Sequence, residues 1–129
     1  MRRIATPSTW ALMGVLAAAC CAPLAHAAGD AKRGADTFAG ECGDCHSAKE
    51  GKAKKGPPLF GVVGRKSASV ADFAYSDAMR QSGLPWSADR IDAYITRPKK
   101  LVPGGKMKYD GLDDAHARED VIAYLQSLK

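Results

Sequence analysis

The chain lacks any segment that alternates convincingly between apolar and polar residues, as an amphipathic β-strand would. It also has few cysteines and histidines, with four Cys and three His in 129 residues. Cys20 and Cys21 are adjacent and lie in a segment that we expect to be removed, so a zinc finger has too few ligands at the usual spacing. There is no internal repeat and no low-complexity tract. The sequence therefore predicts a small all-α domain.

The first 27 residues have the pattern of a secretory signal. Arg2 and Arg3 give it a positive start, and an apolar stretch follows over residues 10–24. Ala25-His26-Ala27 is a small-x-small cleavage site. We therefore expect export to the periplasm with cleavage near Ala27.

Two other uses of this segment are less favoured. A retained membrane anchor would need an apolar run of about 20 residues, and this run is shorter and contains Pro23. Cys20 could carry a lipid anchor, but the residue three positions before it is Ala17 rather than the expected leucine. The predicted domains are a signal peptide over residues 1–27 and a mature domain over residues 28–129.

The most specific motif is Cys42-Gly43-Asp44-Cys45-His46. Two cysteines separated by two residues can each add to one vinyl group of a haem, and the adjacent histidine can offer its imidazole to the iron. A thioredoxin-like dithiol would follow a hydrophobic strand, which is missing before Cys42. A disulfide across two residues has poor geometry and leaves His46 without a role. The motif therefore predicts one covalently attached haem c.

Helical periodicity and capping residues predict four helices in the mature domain. Their expected bounds are 31–42 capped by Asp30, 76–81, 88–97 capped by Ser87, and a last helix capped by Asp113 or Asp114. Pro98 is expected to end the third helix. Residues 47–74 are rich in glycine and proline and predict a long loop, which we expect to wrap around the haem.

The iron needs a second axial ligand opposite His46, and three side chains after the signal can supply one. Met107 stands in a Gly- and Pro-rich segment that allows close approach to a ligand. Met79 lies in a short helix, where filling a packing gap is the more usual role of methionine. His116 is surrounded by acidic residues, as a solvated histidine would be. The sequence context favours Met107, whose neutral thioether would favour iron(II) and raise the reduction potential.

Many further positions share one family's pattern in order and spacing. They are Gly34, Phe38, Gly56-Pro57, Gly64-Arg65, Phe73-Ala74-Tyr75-Ser76, Trp86, Tyr94, Pro98-Lys99-Lys100, residues 103–107, Arg118-Glu119-Asp120 and Tyr124-Leu125. The mature chain thus resembles a class I cytochrome c, of the mitochondrial type and its bacterial periplasmic relatives. This resemblance implies crossed N- and C-terminal helices, with short helices and loops wrapped around one haem.

The resemblance also implies individual roles. Cys42 and Cys45 would form the thioethers, and His46 and Met107 the axial bonds. The Pro57 carbonyl would accept the free N–H of His46, and Tyr94 would lie near the Met107 sulfur. The residues expected to face the haem propionates are Arg65, Tyr75, Ser76 and Trp86.

The chain departs from the family pattern at a few positions near the expected ligand segment. Met79 replaces an asparagine, so the polar network near the sulfur should differ. Gly105 replaces a threonine that often contacts a propionate, and Leu101 replaces an aromatic. These departures bear on the reduction potential and on the stability of the segment.

The net charge of +5 and a group of lysines predict that the partners are proteins with acidic surfaces. Lys99, Lys100 and Lys106 would form a basic rim that steers acidic patches of redox proteins. The expected donor is a membrane quinol-oxidising complex or a dehydrogenase, and the acceptor is an oxidase or reductase of a respiratory chain. Lys52, Lys54 and Lys55 could add to this rim or be ordinary solvated surface. Nucleic acid is not expected, because no basic-and-aromatic recognition pattern accompanies the charge, and we expect a monomer.

The leading interpretation is a soluble one-electron shuttle and not an enzyme. A gas-binding sensor or a peroxidase would instead need an open sixth position on the iron. A peroxidase would also need acid–base groups, and nothing in the sequence pairs with His116 for that purpose.

Overall fold

The computed structural model describes residues 28–129, which form five helices and no strand. The helices are α1 Ala31–Glu41, α2 Asp77–Ser82, α3 Ala88–Thr96, α4 Pro98–Leu101 and α5 Ala115–Ser127. In this part of the chain the β-pairing is one isolated bridge between Lys66 and Pro85. The all-α prediction is confirmed. The predicted signal and the possible lipidation site at Cys20 lie outside the described residues.

Side-chain caps fix where the helices begin. Asp30 accepts hydrogen bonds from two backbone N–H groups of the first turn of α1, and Ser76 and Ser87 do the same once each for α2 and α3. Asp114, rather than Asp113, caps α5. These polar side chains satisfy N–H groups that have no partner within the helix, which is why the predicted starts agree with the structure to within one residue.

At Pro98 the structure adds a short helix that the sequence analysis did not predict. Proline was expected to end the third helix, and α3 does end at Thr96. Pro98 then occupies the first turn of α4, a position where its missing N–H costs nothing. The same residue thus ends one helix and begins another, and α4 was missed because it is a single turn long.

The first and last helices cross closely, as the family resemblance implies. Gly34 of α1 lies against the backbone carbonyl of Asp120 in α5, so closely that a Cβ at this position would overlap it. Beside this contact the rings of Phe38 and Tyr124 are 5.4 Å apart at 59°. The buried core extends from this crossing and comprises Phe38, Val62, Trp86, Ile91, Val121 and Leu125.

A polar cluster closes the amino-terminal end of the crossing. Asp120 is buried, with 7% of its surface exposed, and accepts the backbone N–H of Asp30 at 2.6 Å. The Arg33 guanidinium donates to both oxygens of the same carboxylate, at 2.8 and 3.0 Å. The hydrogen bond from Arg33, followed by that from Asp30, holds the pKa of Asp120 below its usual value. At neutral pH the carboxylate is therefore ionised, and both of its oxygens accept hydrogen bonds.

The long segment between α1 and α2 is ordered by contacts with buried groups. The guanidinium of Arg65 donates to the carbonyls of Phe60 and Pro58, both at 2.9 Å. The backbone of Trp86 receives a hydrogen bond from Gly64 N–H and donates one to Arg65. These bonds satisfy carbonyl groups that a segment without secondary structure would otherwise leave unpaired. Across residues 28–129, no helix has the length and apolar character needed to cross a membrane.

Candidate functional site

The Cys42–His46 motif forms a tight turn directly after α1. The N–H groups of Cys42 and Gly43 both donate to the Phe38 carbonyl, at 2.9 and 2.8 Å. The N–H groups of Cys45 and His46 then donate to the Cys42 carbonyl, at 3.1 and 2.8 Å. The turn is therefore rigidly attached to the helix that crosses α5, and the core holds the motif in place.

Both thiols of the motif are free. Cys42 is partly buried and Cys45 is exposed. Burial, with smaller contributions from Glu41 and Cys45, raises the pKa of Cys42 to about 11. A dithiol oxidoreductase needs a cysteine with a lowered pKa, so the environment of Cys42 does not suit that chemistry.

His46 is held in one tautomer. Its Nδ1 lies 2.8 Å from the carbonyl oxygen of Pro57. A carbonyl can only accept, so Nδ1 carries the proton and the lone pair of Nε2 is free. Burial lowers the pKa of His46, although the Pro57 contact opposes this shift, and the ring is thus kept neutral. A neutral imidazole with a free Nε2 is the form that binds a metal.

Gly56 makes this arrangement possible. A Cβ on Gly56 would overlap Cε1 of the His46 ring and would lie 2.7 Å from Nδ1. The Gly56 N–H also donates to the Cys45 carbonyl at 2.8 Å. Only a residue without a side chain lets the backbone that carries Pro57 pass so close to the imidazole.

The residues of the motif fit a covalent haem. Two unpaired thiols are separated by two residues, and the adjacent imidazole has its metal-binding nitrogen free and its other nitrogen bound to a carbonyl. Within residues 28–129, no group of three or more His, Cys, Asp and Glu side chains is arranged to hold a metal ion. The two thiols and the neutral imidazole of the motif suit an iron that is held inside a porphyrin.

The three candidates for the second axial ligand lie in different environments. Met107 is half-buried in the segment without secondary structure that joins α4 to α5. Met79 packs against the buried core, and the Ser82 hydroxyl lies 3.9 Å from its sulfur. His116 is exposed on the first turn of α5, with Nδ1 3.4 Å from Glu119. His116 is therefore solvated, and Met79 contributes to the packing of the core.

The residues predicted near the propionates are linked by contacts with Arg65. The backbone N–H of Trp86 donates to the Arg65 carbonyl at 2.9 Å, and Tyr75 is close enough to affect the Arg65 pKa. Ser76 caps α2, and the Tyr75 hydroxyl accepts the N–H of Val70 at 3.4 Å. The rings of Trp86 and Tyr94 are 5.1 Å apart, and burial raises the pKa of Tyr94. Burial lowers the pKa of Arg65, with an opposing effect from Tyr75, but a guanidinium stays charged at neutral pH.

The predicted docking lysines are exposed, but they are not equivalent. Lys99 pairs with Asp110 at 3.3 Å. Lys100 and Lys106 are exposed, and the side-chain ion pairs found in residues 28–129 do not include them. Exposed positive charge therefore lies on α4 and directly before Met107 in the segment that joins α4 to α5.

Sequence reasoning missed two contacts of the site. The Tyr109 hydroxyl donates to the Glu41 carboxylate at 2.8 Å, although the two residues are 68 positions apart. The Lys54 ammonium donates to the Gly43 carbonyl inside the motif at 2.5 Å. No local pattern could have indicated the first pair. The second joins residues 11 positions apart, so the lysines after the motif could have suggested it.

A helical domain with crossed terminal helices and a Cys-x-x-Cys-His turn defines a small c-type haem protein. Residues 31–129 match the family described as Cytochrome c. The chain is 44% identical over 99 residues to a cytochrome c from Cochliobolus lunatus, which covers 76% of this chain and 92% of that protein. It is 45% identical over 101 residues to a cytochrome c2 from Rhodopila globiformis, covering 78% and 95%.

A solved structure gives the same result. Cytochrome cH from Methylobacterium extorquens superposes with a TM-score of 0.71 at 43% identity, over 77% of this chain and 99% of that one. The chain belongs to the cytochrome c family, and its fold is that of a class I cytochrome c. It is accordingly an electron carrier with one covalently attached haem c rather than an enzyme.

Proposed function

We propose that this protein is an exported, periplasmic one-electron shuttle whose haem iron is bound by His46 and Met107. The observation that carries the proposal is the 2.8 Å contact between His46 Nδ1 and the Pro57 carbonyl, which leaves Nε2 free for the iron. The two free thiols next to it supply the attachment points.

The side chains of the motif divide the work of holding the cofactor. The thiols of Cys42 and Cys45 would hold the haem by adding across its two vinyl groups, so that each S–H bond is replaced by one C–S and one C–H bond. His46 Nε2 would bind the iron, and the hydrogen bond from Nδ1 to the Pro57 carbonyl increases the basicity of the ring. When bound, the haem supplies reversible one-electron chemistry between Fe(III) and Fe(II).

Met107 completes the coordination in this proposal. Its thioether is neutral and soft, so it stabilises Fe(II) more than Fe(III) and raises the reduction potential. The packing of Met79 against the core supports this choice of methionine. With His46 and Met107 as its ligands, the iron would have no open coordination site for oxygen or substrates.

The remaining site residues act on the edges of the cofactor. Tyr75, Ser76 and Trp86 offer a polar and aromatic wall for the propionates, and Arg65 contributes a fixed positive charge. Arg65 is already held by the carbonyls of Phe60 and Pro58, so its charge is rigidly positioned. Tyr94, packed on Trp86, would help to hold the Met107 sulfur.

Docking would use the basic surface formed by Lys99, Lys100 and Lys106. Exposed ammonium groups attract acidic patches on redox proteins and raise the encounter rate at low ionic strength. Electron-transfer interfaces are usually small and short-lived, which suits a monomeric carrier moving between a quinol-oxidising complex or dehydrogenase and an oxidase or reductase. Of the lysines after the motif, Lys54 is less available for docking, because its ammonium is bound to the Gly43 carbonyl. Lys52 and Lys55 are exposed and could add to the basic surface.

Export follows from the first 27 residues, whose pattern we interpret as a signal peptide cleaved near Ala27. The family match begins at residue 31, in agreement with a mature domain over residues 28–129. Mass spectrometry of the periplasmic protein should give a chain starting near Ala28 with the added mass of one haem. A lipid modification at Cys20, or a chain without cofactor mass, would contradict the proposal.

Absorption spectroscopy tests the axial ligands. The oxidised protein should be low-spin and should show the weak band that arises from a sulfur–iron bond. Met107→Leu should lose this band and keep the covalent haem, and Met79→Leu should keep both. Loss of the band in Met79→Leu instead would transfer the assignment to Met79. A high-spin parent protein that binds carbon monoxide as readily as a globin would favour a sensor or a peroxidase.

A further inference from the structure

The segment that joins α4 to α5 is held near its start by a turn directly after α4 and near its end by bonds to α3 and α5. Near its start the Gly105 N–H donates to the Val102 carbonyl at 3.1 Å. Near its end the Leu112 N–H donates to the Ile95 carbonyl at 2.8 Å, and Arg118 donates to the Leu112 carbonyl at 2.8 Å. These bonds fix residues 102–105 and residue 112, but they leave the middle of the segment, with Met107, to other contacts.

The middle of the segment reaches across the molecule at Tyr109. Its hydroxyl donates to Glu41 Oε2 at 2.8 Å. Glu41 is the last residue of α1 and immediately precedes Cys42. In the part of the chain that the structure describes, this is the side-chain hydrogen bond that joins residues 106–110 to α1. The other such bond of this stretch, from Lys99 to Asp110, leads back to neighbouring α4.

We propose that Tyr109 and Glu41 are positioning residues that hold the segment containing Met107 against the Cys42–His46 motif and so oppose displacement of the sixth iron ligand. The proposal rests on Met107 being that ligand. Tyr109 follows Met107 by two residues, so a restraint on Tyr109 limits how far the sulfur can move. In the proposed site the motif would supply the other iron ligand through His46, so the bond between Glu41 and Tyr109 would join the two segments that carry the ligands.

The chemistry of the pair suits a restraint that can be released. A phenol donating to a carboxylate forms a charge-assisted hydrogen bond, which is stronger than a neutral one. Glu41 is exposed, so water competes for the same groups and limits the net strength. The hydrogen bond should therefore favour the position of the segment near the motif by only a small factor, so that the segment can still move away.

Binding of imidazole to the oxidised holoprotein tests the proposal, because imidazole must displace the sixth ligand. Tyr109→Phe keeps the ring and removes the hydroxyl, and Glu41→Ala removes the acceptor. Each should raise the affinity for imidazole about two- to fivefold, as expected for the loss of one partly solvated hydrogen bond. The double variant should show no more than the larger single effect, because both changes break the same bond.

Matched controls separate this effect from general destabilisation. Tyr124→Phe removes a hydroxyl from another half-buried tyrosine, and Glu50→Ala removes an exposed carboxylate from the loop after the motif. Both should leave imidazole affinity unchanged. Amide hydrogen exchange provides a second readout: residues 106–110 should exchange faster in Tyr109→Phe, while the amides of α1 and α5 keep their protection.

Two results would overturn the proposal. One is an imidazole affinity of Tyr109→Phe equal to that of Tyr124→Phe, with unchanged exchange at residues 106–110. The other is simple additivity of the two single effects in the double variant. The choice of ligand is tested separately by Met107→Leu. If the sulfur–iron band disappears in Met107→Leu but Tyr109→Phe behaves as the parent, the restraint fails and the axial assignment stands.

Discussion

Gly34 lies directly against the backbone carbonyl of Asp120, and this contact sets how closely α1 and α5 cross. Because the motif turn is attached to the end of α1, the crossing also determines where Cys42 and His46 stand relative to the core. A glycine in the interior of a helix costs about 1 kcal/mol relative to alanine. The close crossing is the physical reason that the chain keeps one here.

Gly34→Ala should destabilise the protein by about 1–3 kcal/mol, because the new methyl group must push α5 away. Gly40→Ala is a matched control on the same helix, where a Cβ would meet nothing within 4 Å. It should stabilise the protein by about 0.5–1 kcal/mol through the better helix propensity of alanine. Denaturant unfolding of both variants measures the difference. Equal effects of the two substitutions would show that the crossing tolerates a side chain.

Asp120→Asn should change how stability depends on pH. The pKa of Asp120 is lowered in the folded protein, so its ionised form stabilises the fold above the unfolded value of about 3.9. This contribution is lost as the pH falls through the lowered pKa. Asp120→Asn should therefore be less stable than the parent at neutral pH, and the gap should narrow below about pH 4. Unfolding measured between neutral and acidic pH tests this.

Asp36→Asn provides the control for this experiment. Asp36 is exposed on α1, so the variant removes the same charge without touching the contacts of Arg33 and Asp30 with Asp120. If Asp120→Asn were less stable than the parent by the same amount from neutral pH down to acid unfolding, the ionised carboxylate of Asp120 would not be what stabilises the fold.

Arg65→Lys should loosen the loop between α1 and α2. The Arg65 guanidinium bonds two carbonyls through two different nitrogens, a fork that an ammonium group cannot reproduce. The loss of one such bond should cost about 1–2 kcal/mol in unfolding free energy. Arg90→Lys, on the exposed face of α3, is the control and should be close to neutral. A neutral Arg65→Lys would imply that water replaces the lost contact.

Replacing Lys99, Lys100 and Lys106 together by glutamine should slow electron transfer to an acidic partner by roughly tenfold at low ionic strength and flatten its salt dependence. The variant Lys32→Gln, Arg90→Gln and Lys129→Gln removes the same charge from exposed positions outside this surface. Stopped-flow rates over a range of salt concentrations compare the two. If both variants slow the reaction equally, the rate depends on the net charge of the protein and not on the proposed docking surface.

Most helices could be predicted from the sequence because their signals are local. Asp30, Ser76 and Ser87 cap helices that begin within one residue of the expected positions. The single turn α4 was missed, since Pro98 is equally compatible with the end of one helix and the start of another. Local rules place the end of α3 before Pro98, but whether a further helical turn follows the proline depends on the surrounding packing.

The candidate site was predictable in its chemistry and less so in its contacts. The spacing of Cys42, Cys45 and His46 indicates covalent haem without any knowledge of the fold, and the family comparisons assign the same cofactor. The partner of Arg65 was expected among the propionates, and the structure adds that two of its nitrogens are bound to the carbonyls of Phe60 and Pro58. Its role toward a propionate stays a prediction.

The sequence by itself determined the all-α class, the helix starts and the identity of the haem-binding motif, because spacing over a few residues carries all of that information. The tertiary structure decided which distant groups meet. Asp120 binds Arg33 across 87 positions, and Glu41 binds Tyr109 across 68. Such pairs depend on the close approach of α1 to α5 and on the path of the chain after α4. No local periodicity encodes these, so only the folded chain brings the charges and hydroxyls within hydrogen-bonding distance.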